Sequence, residues 1–147
     1  MIYINMRPEH VAQVAELEKI CFGTEAWSEK SVASELENEL AHWLVAEENG
    51  AVTGYVGSQT VLGETDMMNV AVHPDHRRQG IAEALVTALV CDLKEQGSHC
   101  LTLEVRSSNA PAQKLYEKLG FDRIGLRKNY YRNPKEDAII LRKEWTV

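Results

Sequence analysis

A short stretch in the middle of the chain has the residues needed to bind an anion. Arg77 and Arg78 stand just before Gly80, between an apolar strand-like segment and a run of apolar residues at helical spacing. The first backbone N–H groups of a helix are unpaired and carry partial positive charge, so they can bind phosphate. The pattern therefore predicts an anion-binding turn built from the Gln79, Gly80 and Ile81 amides. It lacks the lysine of a Walker loop and the glycine triplet of a Rossmann fingerprint. On these residues alone, an ordinary strand–helix turn with solvated arginines remains the alternative.

Three further side chains are candidates for chemistry. Glu104 lies near the end of an apolar strand, where sheet crevices tend to hold ligands, although an ion pair with Arg106 or Arg123 is the alternative. Tyr116 lies on an apolar helix face, where a tyrosine is more often a core residue than a catalytic one. Asn109 suits the cap of that helix and needs no other role.

The elements that must position these residues follow from hydrophobic spacing and turn residues. An edge strand at 1–6 precedes a helix beginning near Pro8, and Ser28 is expected to cap a second helix. Asn49-Gly50 between apolar runs predicts a hairpin, and a second turn leads into the strand that ends at Val72. A long helix and the strand 99–105 follow, then a helix ending at Gly120 and two final strands, 121–126 and 137–141. The total is about seven strands and four helices, a mixed α/β sheet covered on both faces.

The crossover after residue 72 predicts how two strands pair, and the loop that carries Trp27 has two possible roles. A helix-length connection between the strand ending at Val72 and the strand 99–105 predicts a parallel, right-handed pair. Trp27 lies in the loop between the first two helices. It is expected either to anchor the packing of that loop or to form one wall of an acceptor groove.

Composition limits the classes of function. The chain has 147 residues and a net charge of −6, which argues against a broad nucleic-acid-binding face. We expect one domain over residues 1–147, located in the cytoplasm, because no signal peptide or membrane-spanning apolar run is present. The three cysteines lack the spacing of metal ligands, so we expect buried free thiols and no metal.

Two stretches carry a resemblance to a known superfamily. The turn and the strand before it resemble the acyl-CoA pyrophosphate loop of the GCN5-related N-acetyltransferase (GNAT) superfamily, and residues 103–121 are similar to the second half of its pattern. Two further motifs resemble, more narrowly, the bacterial ribosomal-protein-alanine N-acetyltransferase family, which modifies the amino terminus of a small-subunit ribosomal protein. These motifs are Arg127-x-Asn129-Tyr130-Tyr131 and Glu136-Asp137-Ala138.

The resemblance implies a three-layer αβα fold with a mostly antiparallel sheet, acetyl-CoA as co-substrate and a protein N-terminus as acceptor. It implies that Glu104 is the general base and Tyr116 the general acid. The residues it places at the cofactor are Val70, Ala71, Val72, Arg77, Arg78, Gln79, Gly80, Ile81, Ala82, Glu83 and Asn109. The residues it places at the peptide are Trp27, Tyr130 and Tyr131. The sequence departs from the family at Ala82, where glycine is common, and at Ala26, where relatives often have proline.

The expected reaction is direct attack of the acceptor amine on the thioester. An α-amino group has a pKa of about 7.7–8.0, so a carboxylate can remove its proton near neutral pH. Neither a metal nor a covalent enzyme intermediate is required. The alternatives are a GNAT enzyme for a small amine or lysine, and a non-catalytic acyl-CoA-binding module.

Overall fold

A computed structural model of the chain describes residues 1–145. Seven strands form one sheet, and four helices cover it. The strands are β1 (Ile2–Asn5), β2 (Ala41–Glu48), β3 (Ala51–Val61), β4 (Glu64–Val72), β5 (Cys100–Arg106), β6 (Asp122–Arg132) and β7 (Lys135–Glu144). The helices are α1 (Val11–Phe22), α2 (Glu29–Glu35), α3 (Ile81–Glu95) and α4 (Ala110–Lys118). Among residues 1–145, no helix is long and apolar enough to cross a membrane.

The sheet is antiparallel except at its centre. Its strand order is β1-β2-β3-β4-β5-β7-β6, and β4 and β5 are the parallel pair that the crossover helix α3 predicts. That pairing covers only Glu64–Asp66 against Cys100–Thr102. Beyond these residues the two strands diverge, and an opening separates their carboxyl-terminal halves.

The helices form two layers, one on each face of the sheet. Helices α1 and α2 pack with one face of β2–β4, in a core that includes Val14, Val32 and Tyr55. Helices α3 and α4 cover the other face, in a core that includes Leu89 and Leu103. The mixed sheet, the two helical layers and the number of elements confirm the predicted fold class.

Several local predictions are also confirmed. Asn49 and Gly50 both have positive φ, 51° and 83°, as the tight hairpin between β2 and β3 requires. The Ser28 hydroxyl oxygen accepts the Ser31 N–H at 3.1 Å and so caps α2. The Asn109 carboxamide accepts the Ala112 N–H at 3.2 Å and caps α4.

Two predictions are wrong. The final strands were expected at 121–126 and 137–141, with residues 127–136 between them, but β6 continues to Arg132 and β7 begins at Lys135. Most of β6 is exposed at the edge of the sheet, so its sequence has little of the apolar alternation that marks a half-buried strand. The second error concerns Cys91, which is exposed on the solvent side of α3, whereas Cys100 is buried as expected.

Candidate active site

The opening between β4 and β5 exposes backbone groups of β4. His73 donates its N–H to the Thr53 carbonyl of β3 at 2.8 Å. Backbone groups of alternate residues point to the same side of a strand, so those of Val70 and Val72 point away from β3. The Val72 carbonyl accordingly accepts a hydrogen bond from Arg77 Nε at 3.3 Å. The strand that the resemblance assigns to the thioester therefore has backbone groups directed into the opening.

The amino terminus of α3 lies at the end of β4 and has no side-chain cap. Gly80 has a φ of 75°, in the left-handed region that favours glycine, and Arg78 before it has a φ of 65°. The first N–H that bonds within the helix is that of Ala84, which donates to the Gly80 carbonyl at 3.0 Å. Earlier amides are thus free of the helical ladder, as an anion site requires. They belong to Ile81, Ala82 and Glu83.

Two charged side chains of this turn, those of Arg77 and Glu83, have partners within the chain. Arg77 lies against the end of β4, with Nη2 3.8 Å from the Cys21 sulfur. The Glu83 carboxylate pairs with Lys118 Nζ at 3.1 Å, and Gln79 is exposed. The predicted contacts of these side chains with a pyrophosphate remain predictions.

Glu104 faces the opening from β5. Its neighbours Leu103 and Val105 point into the α3–α4 core, so alternation directs the Glu104 side chain to the opposite face. Its ion-pair partner is neither Arg106 nor Arg123 but Arg127, with Nε 3.5 Å from Oε1. Burial raises the pKa of Glu104, and the charge of nearby Asp66 adds to this, whereas Arg127 opposes it. A carboxylate with a raised pKa is a stronger base than an exposed glutamate.

Tyr116 approaches from the α3–α4 side. Its ring is 3% exposed and packs edge-on against Phe121, with centroids 5.3 Å apart. The hydroxyl donates only to the Met67 sulfur, at 3.8 Å, and Met67 directly follows the last β4 residue paired with β5. Burial raises the pKa of Tyr116 far above its ordinary value, so the hydroxyl stays protonated. Glu104 and Tyr116 thus belong to opposite faces of the sheet, on either side of the strands that diverge.

Arg106 connects the segments around the Glu104 face, a role that the sequence analysis missed. Its guanidinium lies 4.2 Å from the ring centroid of Tyr131. It also pairs with Glu136 of β7 at 3.2 Å and with Glu25 of the α1–α2 loop at 3.5 Å. Burial, followed by the charge of Glu104, raises the pKa of Tyr131 to about 12. Tyr131 is therefore close to the predicted base and remains a neutral hydrogen-bonding group.

A wide bulge in β6 presents the tyrosine pair. Arg127 pairs with Ala138 and Tyr131 with Glu136, so three residues of β6 face Asp137 alone. The Asp137 carboxylate accepts the Asn129 N–H at 2.8 Å, where Asn129 has a φ of 54°. Tyr130 follows, 49% exposed, with its ring 5.1 Å from that of Tyr131. Asp137 thus holds this bulge in place.

The α1–α2 loop closes the other side of this region. The ring of Trp27 packs edge-on against Trp43 at 5.4 Å, and Trp43 stacks on Tyr55 at 5.8 Å. Glu25 accepts the Asn133 N–H of the β6–β7 turn at 3.2 Å. The loop and the hairpin thus touch each other above the Glu104 face.

One group of potential metal ligands exists among residues 1–145, and it lies away from these residues. Glu64, His99 and Cys100 have ligand atoms within 4.8 Å of one another, at the amino-terminal ends of β4 and β5. The Arg142 guanidinium pairs with Glu64 at 3.2 Å, and its positive charge disfavours a cation there.

The chain belongs to the acetyltransferase (GNAT) family, whose sequence profile matches residues 11–121. Within this family, the relatives most similar in sequence among those reported below are ribosomal-protein-alanine N-acetyltransferases. A Bacillus subtilis (strain 168) protein, provisionally named a [ribosomal protein bS18]-alanine N-acetyltransferase, is 43% identical over 93% of this chain and 91% of its own. The Escherichia coli (strain K12) protein named [ribosomal protein bS18]-alanine N-acetyltransferase is 42% identical over 78% of both chains.

Solved structures agree with this assignment. The crystal structure of the ribosomal-protein-S18-alanine N-acetyltransferase from Escherichia coli has a TM-score of 0.90 at 34% identity, covering 99% of this chain and 94% of that one. An aminoglycoside 6′-N-acetyltransferase complexed with coenzyme A has a TM-score of 0.84, covering 98% and 97% of the two chains. Its 17% identity shows a likeness of fold alone. The family resemblance seen in the sequence is therefore confirmed.

Proposed function

We propose that this protein transfers the acetyl group of acetyl-CoA to the α-amino group of an alanine-starting ribosomal protein, with bS18 as the first candidate. The observation that carries the proposal is the opening between β4 and β5, which has the uncapped α3 amino terminus at one end and Glu104 and Tyr116 on its two sides. The names of relatives 42–43% identical to the chain supply the acceptor. We place the reaction in the cytoplasm, where a ribosomal protein is available.

Acetyl-CoA supplies an activated thioester and a pyrophosphate. The amides at the start of α3, with Arg78 and Arg77 beside them, are suited to the pyrophosphate because they combine unpaired N–H groups with positive charge. The backbone of Val70–Val72 would hold the pantetheine and donate a hydrogen bond to the oxygen that becomes negative during transfer. Asn109 is proposed as a further cofactor contact.

Glu104 acts as the general base in this proposal. The acceptor ammonium has a pKa of about 7.7–8.0, so only a small driving force is needed to remove its proton. Because the pKa of Glu104 is raised, it lies closer to the pKa of the acceptor amine. This favours proton transfer from the amine to Glu104, directly or through one water. The amine nitrogen then forms its bond to the acetyl carbon as the bond from carbon to sulfur breaks.

Tyr116 supplies a proton to the departing sulfur. Its hydroxyl already points at a sulfur atom, that of Met67, from a buried position at the edge of the opening. Tyr130 and Tyr131, with Trp27 opposite, are proposed to line the groove for the acceptor peptide.

Mass spectrometry of peptides incubated with the protein and acetyl-CoA tests the reaction class. The peptides begin with Ala, Ser, Met or Gly, and each has an N-terminally blocked copy that contains lysine. We expect an added acetyl group on free alanine peptides and none on blocked copies. Acetylation of blocked peptides indicates a lysine enzyme instead. Binding of acetyl-CoA without transfer to any peptide refutes the proposal and points to a small-amine enzyme or a non-catalytic module.

A further inference from the structure

Glu18 of α1 is a fully buried carboxyl group whose two oxygens are both hydrogen-bonded. Oε1 accepts the backbone N–H of Trp27 at 2.7 Å, and Oε2 accepts Nδ2 of Asn69 at 2.6 Å. Both donors are neutral. Burial raises the pKa of Glu18 to about 7, against the effect of these two hydrogen bonds. Neither hydrogen-bond partner carries a charge that would offset the cost of burying a carboxylate.

The two partners of Glu18 belong to the two sides of the predicted acceptor entrance. Trp27 lies in the α1–α2 loop, and Asn69 lies in β4, directly before Val70. Asn69 Oδ1 accepts the Val70 N–H at 3.2 Å. A continuous set of hydrogen bonds therefore connects the loop backbone, through Glu18 and Asn69, to the first residue of the segment proposed to hold the pantetheine.

The loop is also fixed through the Trp27 ring. The residue of β3 opposite Asn69 is Gly57, and a register shift lies next to this pair, with Met68 as the extra residue in β4. The Trp43 ring occupies the space above Gly57, where an added Cβ would lie 2.4 Å from it. Trp27 packs edge-on against that ring. The loop is thus held at two points, the Trp27 backbone and the Trp27 ring. Both sets of contacts connect the loop to β4 at Asn69.

We propose that Glu18 and Asn69 form a positioning pair that fixes the α1–α2 loop on β4 and so sets where the acceptor's amino group enters the opening. This inference rests on the proposed function, because it assumes that the loop borders the acceptor site. Neither side chain touches the reacting atoms. Glu18 acts through the Trp27 backbone, and Asn69 acts through Glu18 and Val70.

Swapping the carboxylate of Glu18 with the carboxamide of Asn69 tests the pair. In Glu18→Gln, two carboxamides face each other and one N–H···O contact is lost, whereas in Asn69→Asp two carboxylates meet. In the double variant Glu18→Gln/Asn69→Asp, the amide again faces a carboxylate, with donor and acceptor reversed. Gln can still accept the Trp27 N–H, and Asp can still accept the Val70 N–H.

Steady-state kinetics with an alanine-starting peptide gives the first readout. We expect each single variant to raise the peptide KM about tenfold and to lower kcat, since misplacement by about 1 Å can reduce rates about 10²-fold. The double variant is expected to recover KM and kcat to within about threefold of the starting protein, because the two side chains are in direct contact and their effects are therefore not additive. The Kd of acetyl-CoA, measured by calorimetry, is expected to change less than about threefold, because Asn and Asp at position 69 can both accept the Val70 N–H and the pyrophosphate site is elsewhere.

A second buried carboxyl provides the matched control. Glu35 of α2 is 8% exposed and also accepts two amide donors, Gln59 at 2.7 Å and Asn38 at 2.9 Å. Glu35→Gln makes the same chemical change without touching Trp27 or β4. We expect its peptide KM and kcat to equal those of the starting protein. An equal loss in this variant would show a general effect of changing buried carboxyls and would overturn the positioning role.

Hydrogen exchange at the Trp27 amide gives a readout that needs no activity. Glu18→Gln is expected to speed this exchange, and the double variant is expected to slow it again. If Glu18→Gln does not fold, Asn69→Ala removes the same connection from the strand side and is measured in its place. Unchanged exchange and peptide KM in the single variants overturn the proposal, as does a double variant no better than either single one. If hydrogen exchange at the Trp27 amide changes as expected but the protein acetylates no peptide, the proposed function is refuted and the positioning pair is not.

Discussion

Tyr116→Phe distinguishes a catalytic hydroxyl from a core tyrosine, because the structure predicts a large effect on activity and a small one on stability. The change removes one oxygen atom and leaves the ring, which fills its place against Phe121. The lost hydrogen bond is the 3.8 Å contact with the Met67 sulfur, a weak acceptor. An ordinary hydrogen bond contributes about 0.5–1.5 kcal/mol, so we expect the free energy of unfolding to change by less than about 1 kcal/mol.

The effect on turnover is expected to be much larger. Positioned acids and bases contribute about 10²–10⁴-fold, and the lower end applies here because a thiol of pKa near 8.5 leaves without full protonation. A loss of about 10²-fold in kcat corresponds to about 2.7 kcal/mol of transition-state stabilisation. The peptide KM and the Kd of acetyl-CoA are expected to stay near their starting values.

The assay combines initial rates at saturating acetyl-CoA with thermal unfolding of the same samples. Tyr55→Phe is the matched control, since the Tyr55 hydroxyl is also buried and has no hydrogen-bond partner among residues 1–145. Its removal is expected to leave kcat unchanged and stability unchanged or slightly higher. Full activity of Tyr116→Phe would return this tyrosine to the core. Loss of activity matched by a loss of several kcal/mol in stability would refute the reasoning as well.

Three further changes test other parts of the site. Glu104→Gln is expected to lower kcat/KM about 10²–10⁴-fold near pH 7 and less above about pH 8, where the amine is already neutral; a deficit independent of pH contradicts the base role. In the pH profile of kcat/KM for the unsubstituted protein, the acid limb should lie at a higher pH than the range of an ordinary glutamate, because the pKa of Glu104 is raised. Gly57→Ala places a methyl group 2.4 Å from the Trp43 ring and is expected to cost about 1–3 kcal/mol in thermal unfolding, whereas Gly125→Ala, 3.4 Å from its nearest neighbour, should cost little. Gly80→Ala is expected to weaken acetyl-CoA binding about tenfold by calorimetry, since a side chain strains its φ of 75° and narrows the approach to the amides; unchanged affinity contradicts the anion site.

The parts of the site that could be predicted from the sequence are those formed by neighbouring residues. The turn before α3 carries its own signals, because the proline, the arginines, the glycine and the helix occur within about ten residues. Glu104 and Tyr116 could be singled out as candidates from their places in a strand and a helix, but the roles of base and acid are predicted only by the family resemblance. Their positions on opposite faces of the sheet depend on the divergence of β4 and β5, which no local pattern records.

The connections around the acceptor side could not be predicted, because their partners are far apart in sequence. Glu18 and Asn69 are 51 residues apart, and Glu25 and Asn133 are 108 residues apart. From the sequence, Arg106 is predicted only as a partner for its neighbour Glu104. It serves instead as the junction of the α1–α2 loop and the β6–β7 hairpin, which only the folded sheet brings together.

The wide bulge in β6 also has a consequence for association between molecules. β6 is one of the two edge strands of the sheet and exposes apolar side chains, with Ile124 56% and Leu126 41% exposed. A long, regular and apolar edge of this kind can add the strand of another chain and so begin aggregation. The bulge that Asp137 holds interrupts the regular edge after Arg127, which leaves too short a run of hydrogen-bonding groups for extended pairing. The distortion that presents the tyrosines therefore also shortens the regular edge with which a strand of another molecule could pair.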